Sequence, residues 1–209
     1  MACDHLEEQL FPVGALGAHY VAAKSRPRAS EPDVWRVLAT EDGTELTTDP
    51  VQPGTPAILA AGQFLQIETA ADFVIEASAP VMVGQYLVGE TYAAGDTGDP
   101  SMMLAVPVEQ FLEEYLFLTP RHYDVDTVTI VAPQGAAVAL DGAPVAADAF
   151  KAIPGSAWTR AIVDVEAGPH RVKASAPVGL TVTGYDDYVS YGYPGGLNLN
   201  GVSPVAEEP

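Results

Sequence analysis

Positive charge is what this sequence has least of: nine Lys and Arg stand against 28 Asp and Glu, a formal charge of −19. A field of that sign repels nucleic acid and anionic lipid, whose recognition needs cations clustered against phosphate, so nucleic acid is excluded as a partner. Spread over a surface, the same charge serves solubility. Cysteine is nearly absent: Cys3, alone, cannot close an internal disulfide and reads as a free thiol or as half of a bridge to a partner elsewhere. No apolar run approaches the roughly 20 residues of a membrane span. The longest, Met102 to Val108, has strand length and is interrupted by Pro107, so this segment is not expected to insert into a membrane. The opening "MACDHLEEQL" turns acidic at once and lacks the cationic start and apolar stretch of a secretory signal. Either the chain is intracellular or its signal lies outside this stretch.

Patterns that carry chemistry are missing too. The four histidines, His5, His19, His122 and His170, have no neighbours at zinc-ligand spacing. There is no G-x-S-x-G elbow, no phosphate-cradling glycine loop and no Cys–His nucleophile pair. The expectation is therefore a protein that is not an enzyme, with no cofactor and no metal site. Acidic pairs do fall on expected loops, at Asp96 with Asp99, Asp124 with Asp126, and Asp186 with Asp187, but none has EF-hand spacing. Solvated loop carboxylates are the simpler reading of them.

Helical periodicity is scarce, whereas short alternating runs rich in Val, Ile, Thr and aromatics recur between Gly, Pro and Asp punctuation. This is an all-β chain. Trp35, Val37 and Ala39 alternate with Arg36 and Leu38, which places Trp35 in a core. Asp42-Gly43 reads as a two-residue type I′ hairpin and Gln134-Gly135 as a weaker version of it. The five letters "ASAPV" occur twice, at Ala77 to Val81 and Ala174 to Val178. The repeat extends: Pro12 and Tyr20 lie over Pro107 and Tyr115 at an offset of 95, and Asp33 over Asp126 at an offset of 93. The fold expected is two tandem, internally duplicated antiparallel β-sandwich units packed together, with Val81 and Val178 at equivalent positions after ASAP turns. The division is a lead-in over 1–11, unit 1 over 12–100, unit 2 over 101–197 and a tail over 198–209. Within it, "GETYAAGDTGDP" (Gly89 to Pro100) reads as the connection between the units, and "PVEQFLEEY" as a helical turn with Pro107 at its start.

The most aromatic stretch is "GYDDYVSYGYPGG", Gly184 to Gly196. Tyrosine combines a large contact area with a polar tip, and adjacent carboxylates add charged acceptors, a mixture that suits protein or sugar recognition. Tyr185, Asp186, Asp187, Tyr188, Tyr191 and Tyr193 are the candidate ligand-binding residues. On one extended strand, Tyr185, Tyr191 and Tyr193 share a face and Tyr188 takes the other. A final strand packed across both units is the plainer alternative.

The segments "CDHLEEQLFP", "EPDVWRVLA", "GDPSMMLAVPVEQFLEEYLFLTP" and "GYDDYVSYGYPGGLNL" resemble the N-terminal domain family named for the mucus IgG-Fc-binding protein, which also occurs in bacterial secreted and surface proteins. The resemblance covers about Asp4 to Leu199. It implies an extracellular or cell-surface, non-enzymatic binding or adhesion module within a larger polypeptide, with a signal or anchor outside this stretch. Its partner would be a protein or carbohydrate ligand on a cell or matrix surface. The alternative role is a structural spacer, a stalk that presents other domains. No Fc-contacting motif transfers to these residues.

Overall fold

The computed structural model describes residues 6–92 and 97–199. Cys3, His5 and Asp96 lie outside the described residues. Unit 1 holds β1 (Gly17–Ala22), β2 (Asp33–Ala39), β3 (Thr44–Asp49), β4 (Ala57–Leu59), β5 (Phe64–Thr69), β6 (Phe73–Leu87) and β7 (Ser101–Leu104). Unit 2 holds β8 (Leu112–Thr119), β9 (Val125–Pro133), β10 (Val138–Leu140), β11 (Ala143–Pro144), β12 (Lys151–Ala152), β13 (Trp158–Val165), β14 (Gly168–Asp186) and β15 (Val189–Pro194). All pairings are antiparallel.

One long strand organises each unit. The first half of β6 pairs with β1 and β3, and its second half with β2 and β7. The first half of β14 pairs with β8 and β10, and its second half with β9 and β15. Each long strand thus passes from one layer of a sandwich into the other, and the remaining strands fill the two layers around it. The core between the layers contains Tyr20, Trp35, Leu46, Ile67 and Phe73 in unit 1, and Tyr115, Ile130, Val172 and Leu180 in unit 2. Trp35 is buried as its alternation requires, and β2 buries every second residue along its length.

The repeated letters occupy repeated positions. Tyr20 donates its hydroxyl hydrogen to the Val81 carbonyl at 2.5 Å, and Tyr115 does the same to the Val178 carbonyl at 2.5 Å. Gly17 faces Val81, and Leu112 faces Val178. Ser78 accepts from the Glu45 amide and Ser175 from the Ala137 amide. The two halves share one register. The ASAP stretches are not turns, however: they lie inside β6 and β14, at the crossing between layers where the ladder to β1 or β8 is interrupted.

Three local readings are corrected. Asp42-Gly43 does not close a hairpin, because β2 and β3 do not pair with each other; the turn joins the two layers, and only Gly43 has positive φ. Gln134-Gly135 makes the same kind of corner between β9 and β10. The type I′ geometry falls instead on Asp141-Gly142 (φ 52° and 82°), which closes the β10–β11 hairpin. Residues Gly89 to Pro100 do not connect the units. They lie between β6 and β7, and Ser101–Leu104, assigned to unit 2 in the sequence division, pairs with β6. Small, polar, turn-rich composition marks a surface loop without saying which strands it joins. The connection is the segment from Ala105 to Phe111, with a 3-10 turn at Val108–Gln110 and Pro107 as its N-cap.

The units pack through two small apolar clusters. Val21, Ala23 and Val74 meet Phe111, Val131 and Ile153; Leu87 and Met103 meet Tyr185. Polar contacts frame them: Arg160 donates to the Lys24 carbonyl and the Asp72 carboxylate, both at 2.9 Å, and Arg26 pairs with Asp164. Glu109 of the connection accepts from the Ala18 amide at 3.0 Å and contacts His19.

Candidate functional site

The tyrosine-rich segment is a hairpin, not a single strand. Asp186 pairs with Val189, leaving Asp187 and Tyr188 as a two-residue tip, with Tyr188 at φ 54°. This reversal changes the facing of the rings. Across the ladder Tyr185 sits opposite Ser190, and Gly184 opposite Tyr191, so Tyr185 and Tyr191 point to opposite faces instead of sharing one. Period-two counting holds only along uninterrupted strand, and the tip interrupts it.

Tyr185 faces unit 1 and is 1% exposed, so it offers no free surface to a ligand. Burial pushes its hydroxyl up to about 12. The Arg28 guanidinium lies over its ring, 4.8 Å from the centroid. Tyr191 and Tyr193 stack on the other face at 6.0 Å, half-buried against the core of unit 2. The Tyr191 hydroxyl donates to the Asp126 carboxylate. Burial raises the pKa of both groups; the anionic neighbour raises Tyr191 further, whereas the hydrogen bond partly restores Asp126. A Cβ on Gly184 would overlap the Tyr191 ring, which is why glycine stands there. Tyr193 donates its hydroxyl hydrogen to the Leu118 carbonyl at 2.5 Å and accepts from the Leu118 amide, which satisfies backbone groups of β8. These rings hold the hairpin in place.

The tip itself is open. Tyr188 is 57% exposed, and Asp187 beside it is exposed, while Asp186 is half-buried. Tyr123, from the loop before β9, packs edge-on against Tyr191 at 4.8 Å and extends the aromatic surface towards exposed Asp124. The hairpin rests on a strap from the loop between β6 and β7: Thr97 bridges to Asp187, the Gly98 amide donates to the Asp186 carbonyl at 2.8 Å, and the Asp99 amide donates to Ser190 Oγ at 2.8 Å.

Beneath the strap lies a buried charge network. Lys24 Nζ is 2.8 Å from Asp33 Oδ1, and the Asp33 carboxylate also accepts from Ser25 and Gln85. Glu31 accepts from the Arg28 and Ala29 amides at 2.8 and 2.7 Å. Burial works to raise the Glu31 pKa, but those amides and nearby Lys24 outweigh it and hold the carboxyl below its usual range. Arg28, fixed by this network, donates to the Thr97 and Val88 carbonyls. Sequence reasoning missed the network and Tyr123. "KSRPRASEPD" has no periodicity and reads as loop, and nothing local announces that these charges are buried. Among the described residues no group of three or more His, Cys, Asp or Glu side chains is placed to hold a metal ion, and no helix is long and apolar enough to cross a membrane.

A family model described as IgGFc binding protein matches residues 1–184. The human "IgGFc-binding protein" is 27% identical over 210 residues, which cover 97% of this chain and 4% of that relative. The chain therefore spans a small fraction of that protein's length. Among solved structures, an anti-sigma factor domain-containing protein covers 78% of each chain at 11% identity and a TM-score of 0.22. Another, from Clostridium clariflavum, covers 86% of this chain and 83% of its own at 11% identity and a TM-score of 0.25.

Proposed function

Because the chain belongs to the IgGFc binding protein family, we propose that it is a non-enzymatic, extracellular binding module of a larger polypeptide, and that it takes a protein ligand at the tip formed by Asp187 and Tyr188. Tyr188 carries the reading. A bulky side chain at φ 54° is strained by about 1–3 kcal/mol, and such strain collects where a side chain is kept for contact. An exposed tyrosine among carboxylates fits a cationic protein patch: the ring supplies contact area at low entropy and the acids supply complementarity. Of the six residues expected from the sequence, Asp187 and Tyr188 supply the contact. Asp186 supports the turn, and Tyr185, Tyr191 and Tyr193 position it. A second role, as a spacer that presents other domains, draws support from the apolar and ion-paired junction that fixes one unit on the other.

The test is surface plasmon resonance on immobilised IgG Fc, with a glycan panel alongside. Glycine relaxes at φ 54°, so Tyr188→Gly combined with Asp187→Ala should melt no lower than the parent. Its binding should fall by about tenfold or more, the scale of an interfacial tyrosine. Fc binding unchanged in the double variant would remove the tip as the site. Parent protein that captures glycans and not Fc would make the ligand a carbohydrate, and parent protein that captures neither would favour the spacer role.

A further inference from the structure

The junction between the units joins two unlike faces. Unit 1 contributes the outer face of β1 and the first half of β6, through Val21, Ala23 and Val74. Unit 2 contributes the outer face of β9 and the second half of β14, where Val131 packs against those residues and Thr129, two residues before it on the same face, is buried. Since both units share one register, each has both kinds of face. The second copy of each kind takes no part in this junction.

Both of these faces carry large apolar groups at positions the junction uses, and Arg171, ion-paired with Glu114, stands on unit 2 where Val74 stands on unit 1. On unit 2, Leu116 and Leu118 stand where Val21 and Ala23 stand on unit 1, by the pairing of Leu116 with Arg171 and of Val21 with Val74. They are 75% and 61% exposed. On unit 1, Arg36, Leu38 and Met82 stand where Thr129, Val131 and Gly179 stand on unit 2. They line a groove of about 210 Å³ with Phe64, which is 54% exposed, and with Leu10 of the lead-in at its side, 51% exposed. The Arg36 guanidinium lies over the Phe64 and Tyr86 rings at 5.4 and 4.9 Å, so this face carries one cation stacked on its aromatic groups. The polar rim repeats as well. Arg26 pairs with Asp164 at the junction, and the corresponding residues of the free faces are Arg121, 95 residues after Arg26, and Glu68, 96 before Asp164. Both are exposed.

We propose that these faces are the two halves of a second junction, made with another copy of this chain: the Leu116 and Leu118 face of one copy packs on the Leu38, Phe64 and Met82 face of the next, with Arg121 opposite Glu68. The contact repeats between chains the packing that already holds the two units together. Its faces are unlike, so it does not close on itself as a twofold dimer does, and copies add head to tail. A formal charge of −19 on each copy opposes the approach, so association strengthens as salt screens that repulsion. The stacking stands independently of what the hairpin tip binds.

Sedimentation velocity over a range of protein concentrations, at low and physiological salt, tests it. The parent should sediment faster with concentration, more so at the higher salt. Leu116→Glu with Leu118→Glu, and separately Phe64→Glu, should each remain monomeric with unchanged melting, because all three side chains are exposed. Mixing the two variants should restore heterodimers and nothing larger, since each keeps one intact face and the two are complementary. Arg121→Glu and Glu68→Arg should each weaken association and restore it together. A parent that stays monomeric throughout overturns the proposal. So does association abolished by the leucine changes but untouched by Phe64→Glu, which would mean that like faces meet.

Discussion

Removing a single oxygen from each unit tests whether the two halves are held by the same device. Tyr20 and Tyr115 are 1% and 3% exposed, and each donates at 2.5 Å to the carbonyl at the point where the long strand changes layer. Each also accepts a backbone amide, Gly17 at 3.4 Å and Leu112 at 3.0 Å. Phenylalanine keeps the ring and its packing, so the loss is confined to the hydroxyl's partners. A buried carbonyl left unsatisfied costs about 1–3 kcal/mol, so each single change should destabilise by that amount. Tyr115→Phe should cost more than Tyr20→Phe, because the amide it strands is held by the shorter bond. The sites lie in different units and share no partner, so the double variant should show the sum to within about 0.5 kcal/mol. Urea denaturation gives the free energies, with unchanged m-values confirming that the folded state stays as compact. Two near-neutral variants, or a loss in one unit only, would refute the claim that this bond is a common strut.

Two further predictions concern the core and the ionisable groups. Trp35→Ala should cost about 3–5 kcal/mol in the same denaturation assay, since the ring is buried edge-on to Phe73 at 5.9 Å and its removal leaves a large cavity. The His170 pKa lies above 6.5: burial lowers it, but hydrogen bonds to the Asp141 carboxylate and the Glu166 carbonyl, both at 2.7 Å, raise it by more. A raised folded value means that this stabilisation is complete below about pH 6.5 and is lost as pH rises through the folded pKa. His19, raised first by its hydrogen bond to Glu109, acts in the same direction. The melting temperature should therefore fall between pH 6 and pH 8, and His170→Asn should flatten that slope; an equal slope in the variant would count against the assignment.

The letters disclosed whatever depends on spacing along a strand or on repetition. Trp35 in the core, the Tyr20 and Tyr115 pair, and the equivalence of Val81 and Val178 all follow from alternation or constant offset. What stayed hidden depends on partners distant in the chain. Asp42-Gly43 has the composition of a hairpin, yet β6 and β5, not β3, take the edges of β2. The facing of Tyr191 changed because two residues of tip shift the phase, and the four polar or aromatic letters from Tyr185 to Tyr188 do not show where a strand stops. Lys24, Glu31 and Asp33 look like solvated loop charges until the packing of unit 2 encloses them.

The position of the long strands in the chain governs the order in which the molecule can form. Among the described residues, β1 has no strand partner before β6 exists, and the ladders available to unit 1 are β2 with β5 and β3 with β4. As the chain leaves the ribosome, each unit's earlier strands must wait with unpaired edges for a strand made near the unit's end. Contacts that reach so far back are slow to close, and waiting edges are where misassociation begins. Unit 2 repeats the arrangement with β14, so the chain passes through two such intervals, and the second ends only when residues 168–186 have emerged.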